Sequence, residues 1–123
     1  MKKIKEIIRK IKEIIMRKEI NKGREKAKTF EQLLIKVKGP KMLERFDYYC
    51  DDHNLKEGER ILNELKEIME KDIKTLQSSI ARQAYKEYLL EYFATLRRDT
   101  IFEDHIVYMT ADRLGGYCSR IVI

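Results

Sequence analysis

A chain of 123 residues with 43% apolar side chains has the length of one domain and enough apolar material for a core. Two cysteines exclude a disulfide scaffold or a cysteine-zinc module, and no apolar run nears the roughly 18 residues of a membrane span. The net charge of +6 is unevenly held: residues 1–28 carry twelve Lys/Arg against four Glu, whereas residues 29–123 carry fifteen Lys/Arg against seventeen Asp/Glu.

The opening stretch "MKKIKEIIRKIKEIIMRKEI" predicts an amphipathic helix. Ile4, Ile7, Ile8, Ile11, Ile14 and Ile15 fall at the a, d and e positions of a heptad, the spacing of one helix face. Lys2, Lys3, Lys5, Arg9, Lys10, Lys12 and Arg17 cover the remaining surface, and Lys18 follows. Asn21 and Gly23 in "NKGREKAK" are stop signals that predict a frayed end or a linker. The chain therefore divides into a basic arm with its linker, 1–28, and a helical body, 29–123. Thr29 and Gln32 have the spacing of a capping box, opening a short helix "FEQLLIKVK" that "KGP" ends. Pro40 suits the first turn of a further helix, "KMLERFDYYCDD". Asn54 with Glu57 forms a second box ahead of Ile61, Leu62, Leu65, Ile68, Met69, Ile73 and Leu76. A serine cap near position 79 starts the next helix, which runs to about Arg98 and carries Tyr85, Tyr88, Leu89, Tyr92, Phe93 and Leu96. Thr100 with Glu103 opens a last helix, closed by Gly115 or Gly116 as a left-handed C-cap. The tail "YCSRIVI" suits a packed extension or a lone strand. These signals predict an all-α fold: a compact bundle of five or six helices with a basic amphipathic helix at its N-terminus, neighbours antiparallel. The competing arrangement is α+β, with "LLIKVK", "HIVYM" and "SRIVI" forming a small sheet.

Function is less sharply written. The opening helix suits three partners. Its cations, Lys2, Lys3, Lys5, Arg9, Lys10, Lys12, Arg17 and Lys18, suit phosphates, with release of counterions. Its isoleucines suit the packed seam of a helical partner, either the body or a second copy. A membrane surface is the less favoured third, since the apolar face lacks Trp and Phe. Packing and phosphate binding use different faces, so the favoured reading is a non-enzymatic cytoplasmic binding protein. It self-associates or packs through the isoleucines and holds nucleic acid, or another acidic partner, without sequence preference. No cofactor or metal is expected. The Lys/Glu/Ile-rich, amide-poor composition fits a heat-adapted organism or an AT-rich genome, and the size fits a viral or mobile-element accessory protein.

The stretch "RRDTIFEDHIVY" places six residues between Arg98 and His105. This resembles the Arg-x4–6-His motif of HEPN-domain ribonucleases, which are compact helical bundles. The resemblance implies a metal-independent ribonuclease, with His105 as general acid/base and Arg98 steadying the scissile phosphate. Two further clusters are candidates. Glu44, Asp47 and Asp51 fall at i, i+3, i+7, joined by Asp52 and His53, and can face a divalent ion or a basic arm. Tyr85, Tyr88 and Tyr92 form a stripe that suits base stacking but more often lies in a core or interface. Cys50 and Cys118 read as reduced thiols, with a single disulfide between them as the alternative.

Overall fold

A computed structural model describes the backbone of residues 2–37, 55–102 and 105–123; the side chains of 35–37, 55–59 and 105–106 fall outside that description. Four α-helices and no strand are present among these residues. They are α1 (Lys2–Val37), α2 (Leu55–Thr75), α3 (Ser79–Thr100) and α4 (His105–Arg120). The fold is all-α: of the segments proposed for a sheet, the described part of the first (33–37) and the second lie in helices, and the last runs across the end of α4.

Helix α3 is central, with α1 and α4 packed against it and α2 against α4. Each helix contributes one apolar stripe to a common core. From α1 come Ala27, Phe30 and Leu34; from α2, Leu62, Leu65, Met69 and Ile73; from α3, Ala81, Tyr85, Leu89 and Phe93; from α4, Leu114 and Cys118. A large apolar side chain so enclosed contributes roughly 1.5–3 kcal/mol relative to an exposed one. No polar or charged residue is buried among the described residues.

The sequence predicts a break at Asn21–Gly23, and the structure shows none. Helix α1 runs unbroken through 36 residues, about 54 Å at 1.5 Å per residue. Gly23 serves packing rather than termination. A Cβ built there would stand 2.0 Å from the Ala81 carbonyl oxygen and 3.0 Å from the Ala84 Cβ. Only a residue without a side chain lets α1 and α3 approach this closely. Residues 21–28 are thus part of the body's helix, with Gly23 and Ala27 buried, and not a linker. Thr29 does not cap a new helix; its Oγ1 donates to the Glu25 carbonyl one turn back, 3.1 Å. The two helices expected over 4–20 and 29–38 are one as far as Val37, the last described residue of that stretch. That fusion, with the segment "KMLERFDYYCDD" and its Pro40 start outside the described residues, leaves four helices where five or six were expected.

Other boundaries follow similar physics. Ser78 is the N-cap of α3: its backbone is extended, and its Oγ accepts from the Ala81 N–H at 3.1 Å. Helix α2 starts at Leu55, immediately after the expected cap Asn54, which itself lies outside the description. Thr100 does not open α4. It is the last residue of α3, and its Oγ1 donates to the Leu96 carbonyl at 2.5 Å. Gly115 and Gly116 do not close α4, which continues to Arg120, and neither has a positive φ. A Cβ on Gly115 would lie 3.4 Å from the Phe93 Cβ, so this glycine also marks a close helix approach. Of the tail, Tyr117 to Arg120 finish α4 and Ile121 is partly buried against the core, its carbonyl accepting from Lys86 Nζ at 2.7 Å, whereas Val122 and Ile123 are exposed.

Candidate interaction surface

The body's hold on α1 begins at Glu19. Its Oε2 accepts from Ser78 Oγ at 2.6 Å, and its Oε1 accepts from Lys22 Nζ at 3.0 Å. The Ser78 hydroxyl, followed by the Lys22 ammonium, holds the Glu19 carboxyl below its ordinary range. Ser78 therefore both caps α3 and ties down α1 where it leaves the body. Every side chain from Lys2 to Lys18 is exposed. These residues form a projecting arm, about 25 Å of helix.

The arm carries its isoleucines bare. Ile4, Ile7, Ile8, Ile11, Ile14 and Ile15 are 47% to 62% exposed, and Met16 is 47% exposed. Their direction matters as much as their exposure. At 100° per residue, their mean direction lies about 130° around the helix from that of Gly23, Ala27, Phe30 and Leu34, which face the body. The stripe does not continue the buried face; it ends at Lys18 and points elsewhere. Packing against its own body is therefore not what the described residues show for these six side chains.

The cations surround the stripe on several sides. Lys3, Lys10 and Arg17 follow one margin of the isoleucines, Lys5 and Lys12 the other, and Lys18 stands on the stripe's own line past Ile15. Lys2 and Arg9 share the far side with Glu6 and Glu13, where Arg9 Nε lies 3.9 Å from Glu13 Oε1. That exposed pair contributes little to stability. All eight cations expected to meet phosphates are exposed. A further signal lies in the sequence itself: residues 4–10, "IKEIIRK", and 11–17, "IKEIIMR", share their first five positions and differ only at Arg9/Met16 and Lys10/Arg17. Comparing the chain with itself at an offset of seven exposes this repeat, which the spacing of isoleucines alone does not.

The remaining candidates resolve differently. Arg98 is exposed in the last turn of α3, where its Nη2 donates to Thr95 Oγ1 at 3.3 Å. His105 is the first residue of α4, and its side chain is outside the description. Glu44, Asp47, Asp51, Asp52 and His53, with Cys50, are also outside it. The tyrosine stripe belongs to the scaffold. Tyr85 is fully buried and donates to Asp72 Oδ2 on α2 at 2.9 Å. Tyr88 donates to Glu31 Oε2 on α1 at 2.5 Å, and the Tyr92 ring packs on Phe93. Burial, then the Asp72 carboxylate, pushes the Tyr85 phenol up. The hydrogen bond to Glu31, then burial, pushes Tyr88 up to about 12. Burial also holds the Asp72 carboxyl above its ordinary range, against the opposing pull of the Tyr85 hydroxyl, Lys26 and Lys71. Cys118 is a free, buried thiol whose Sγ–H points to the Lys86 carbonyl at 3.8 Å, and burial pushes it up to about 11.

A groove of about 450 Å³ runs between α1 and α3, lined by Ile20, Arg24, Lys28, Glu87, Tyr88 and Glu91 among others. Its charges are of both signs, and no histidine or cysteine lines it. Among the described residues, no three His, Cys, Asp or Glu side chains gather as metal ligands, and no helix is long and apolar enough to cross a membrane. No protein-family model, curated protein or solved structure matches the chain.

Proposed function

We propose that this chain is a non-enzymatic helical binding protein whose N-terminal arm is the binding element. The isoleucines pack against a second helix, another copy of the chain foremost. The cations at their margins engage a polyanion, nucleic acid foremost, with little dependence on sequence. One observation carries this reading: six isoleucines stand exposed on a continuous helix, at a helical spacing about 130° from the face that the body covers. A contiguous apolar patch of this kind on a soluble surface marks an interaction site. A polyanion contact built on lysine and arginine side chains releases counterions, so its affinity falls steeply with salt.

The test is fluorescence anisotropy with a labelled nucleic-acid duplex and a labelled single strand. The intact chain is expected to bind both, with log affinity falling linearly against log salt. A chain lacking residues 2–18 is expected to lose the binding while keeping its helical circular dichroism. Undiminished binding by the shortened chain sinks the proposal, as does a complete lack of binding by the intact chain at low salt.

A further inference from the structure

We infer that the arm is a ligand-locked helix: residues 2–18 open from the free end while the body stays folded, and a bound polyanion closes them, so helix order and polyanion affinity rise and fall together. The inference rests on the proposed function and concerns how the same surface is regulated.

The arm has little to hold it in shape by itself. Every side chain from Lys2 to Lys18 is exposed, and the tie to the body begins only at Glu19, whose Oε2 accepts from Ser78 Oγ at 2.6 Å. Helices in proteins draw most of their stability from packing an apolar face, which the described body does not supply here. What is left is propensity, and six β-branched isoleucines lower it. The body does supply a nucleus. Gly23, Ala27, Phe30 and Leu34 are buried on α3's side, so the helix grows outward from an anchored turn and opens inward from Lys2.

Charge works against the free arm. Residues 2–18 hold eight Lys/Arg and two Glu. Lys2, Lys3 and Lys5 crowd the first turn, which has no acidic residue, against the positive end of the helix macrodipole. Lys2 and Lys5, Lys5 and Arg9, and Arg9 and Lys12 are like charges three or four residues apart, each pair destabilising the helix slightly. Glu6 and Glu13 offset part of this, but among the described residues the ion pair formed within the arm is Arg9–Glu13 at 3.9 Å, exposed and weak. A polyanion reverses each of these effects. Phosphates beside Lys2, Lys3 and Lys5 put negative charge where the macrodipole favours it, and they turn the repelling row into a binding surface. Binding and ordering then share one coupling, which is reciprocal. Any change that loosens the free arm lowers affinity, even when no cation is removed.

Amide hydrogen exchange on the dilute full chain, with and without a short oligothymidylate at low salt, tests this. In the free chain, protection is expected to be low over Ile4 to Ile8, to rise toward Glu19 and to be highest over Ala27 to Leu34. Saturating oligothymidylate is expected to raise protection across residues 4–16 at least about tenfold and to leave the body unchanged. Lys2→Glu with Lys3→Glu is expected to raise first-turn protection in the free chain about fivefold. Met16→Gly separates conformation from charge. Met16 is exposed, and the variant keeps all eight cations while lowering helix propensity in mid-arm. It is expected to bind labelled oligothymidylate roughly two- to fourfold more weakly in fluorescence anisotropy, with an unchanged urea midpoint. Free-arm amides as protected as those of the body overturn the inference, as does a Met16→Gly chain that binds as tightly as the intact one. Binding that leaves the arm's protection unchanged overturns the inference and leaves the binding role of the arm standing. A lack of binding by the intact chain removes both.

Discussion

Gly23 and Gly116 are the same residue type in the middle of helices, with opposite consequences for substitution. At Gly23 an added Cβ would meet backbone atoms of α3, the Ala81 carbonyl oxygen at 2.0 Å and its carbon at 2.9 Å. Backbone cannot swing aside as a side chain does, so α1 and α3 must separate. Gly23→Ala is expected to cost about 2–3 kcal/mol, read from the urea midpoint. At Gly116 the nearest atom is the mobile Arg120 Nη2 at 3.8 Å. Gly116→Ala therefore recovers helix propensity unopposed and is expected to add about 0.5–1 kcal/mol. The tyrosines set a second residue-scale expectation. Tyr88 is pushed up to about 12 by its hydrogen bond to Glu31 and then by burial, and Tyr85 is pushed up by burial, from an ordinary value of 10.0. A raised phenol means that the folded state holds its proton where the unfolded chain releases it. The associated stability is complete below pH 10 and declines as pH rises through the folded values. Urea midpoints taken from pH 8 upward are expected to stay level and then fall above pH 10, and Tyr88→Phe is expected to soften that fall.

The serine at 78 shows how one side chain joins two elements. Its oxygen accepts from Ala81 N–H, starting α3, and its hydrogen goes to Glu19, where α1 leaves the body. Ser78→Ala is expected to cost about 1–2 kcal/mol in urea unfolding, because it removes an N-cap and an inter-helix hydrogen bond together. Ser78→Asp keeps a cap acceptor but faces the Glu19 carboxylate, so it is expected to recover less than half of that loss. Helix type was legible in the sequence at this scale, since apolar residues recur at helical spacing in every described element and Ser78 announces α3. Boundaries were less legible, for a reason shared by Gly23, Thr29, Thr100 and Gly115. Each has the chemistry of a helix end. Gly23, Thr29 and Gly115 are instead used inside a helix and Thr100 ends α3 rather than starting α4, the glycines serving close approach to α3 and the threonines a bond to the carbonyl four residues back. Tertiary packing decided these cases, and packing partners far along the chain are not written in a local window. For the arm, the apolar stripe was readable from spacing alone. Its turn of about 130° from the buried face was not, because that angle exists only once α1 is known to be unbroken.

The whole molecule combines a closed core with an open arm, and the two have separate thermodynamics. The core is held by Phe30, Leu62, Met69, Tyr85, Leu89, Phe93 and Leu114, none of them before residue 19. The described body leaves Lys2 to Lys18 exposed, so these residues add little to the folding of a lone chain. What they bring depends on concentration. The proposed assembly through the isoleucines would remove folded chains from the unfolding equilibrium by mass action, so on that reading the melting temperature is expected to rise as protein is added. A chain lacking residues 2–18 has the same core and no seam. Its melting temperature is expected to be independent of concentration and to match that of the intact chain extrapolated to high dilution, within the change expected from about 0.5 kcal/mol. Differential scanning calorimetry across a hundredfold range of concentration separates the possibilities. A deletion that lowers stability even at high dilution shows that the arm supports the core, contrary to the exposure of its side chains. A concentration dependence that survives the deletion places the association surface on the body, and the unpartnered isoleucines then need another explanation.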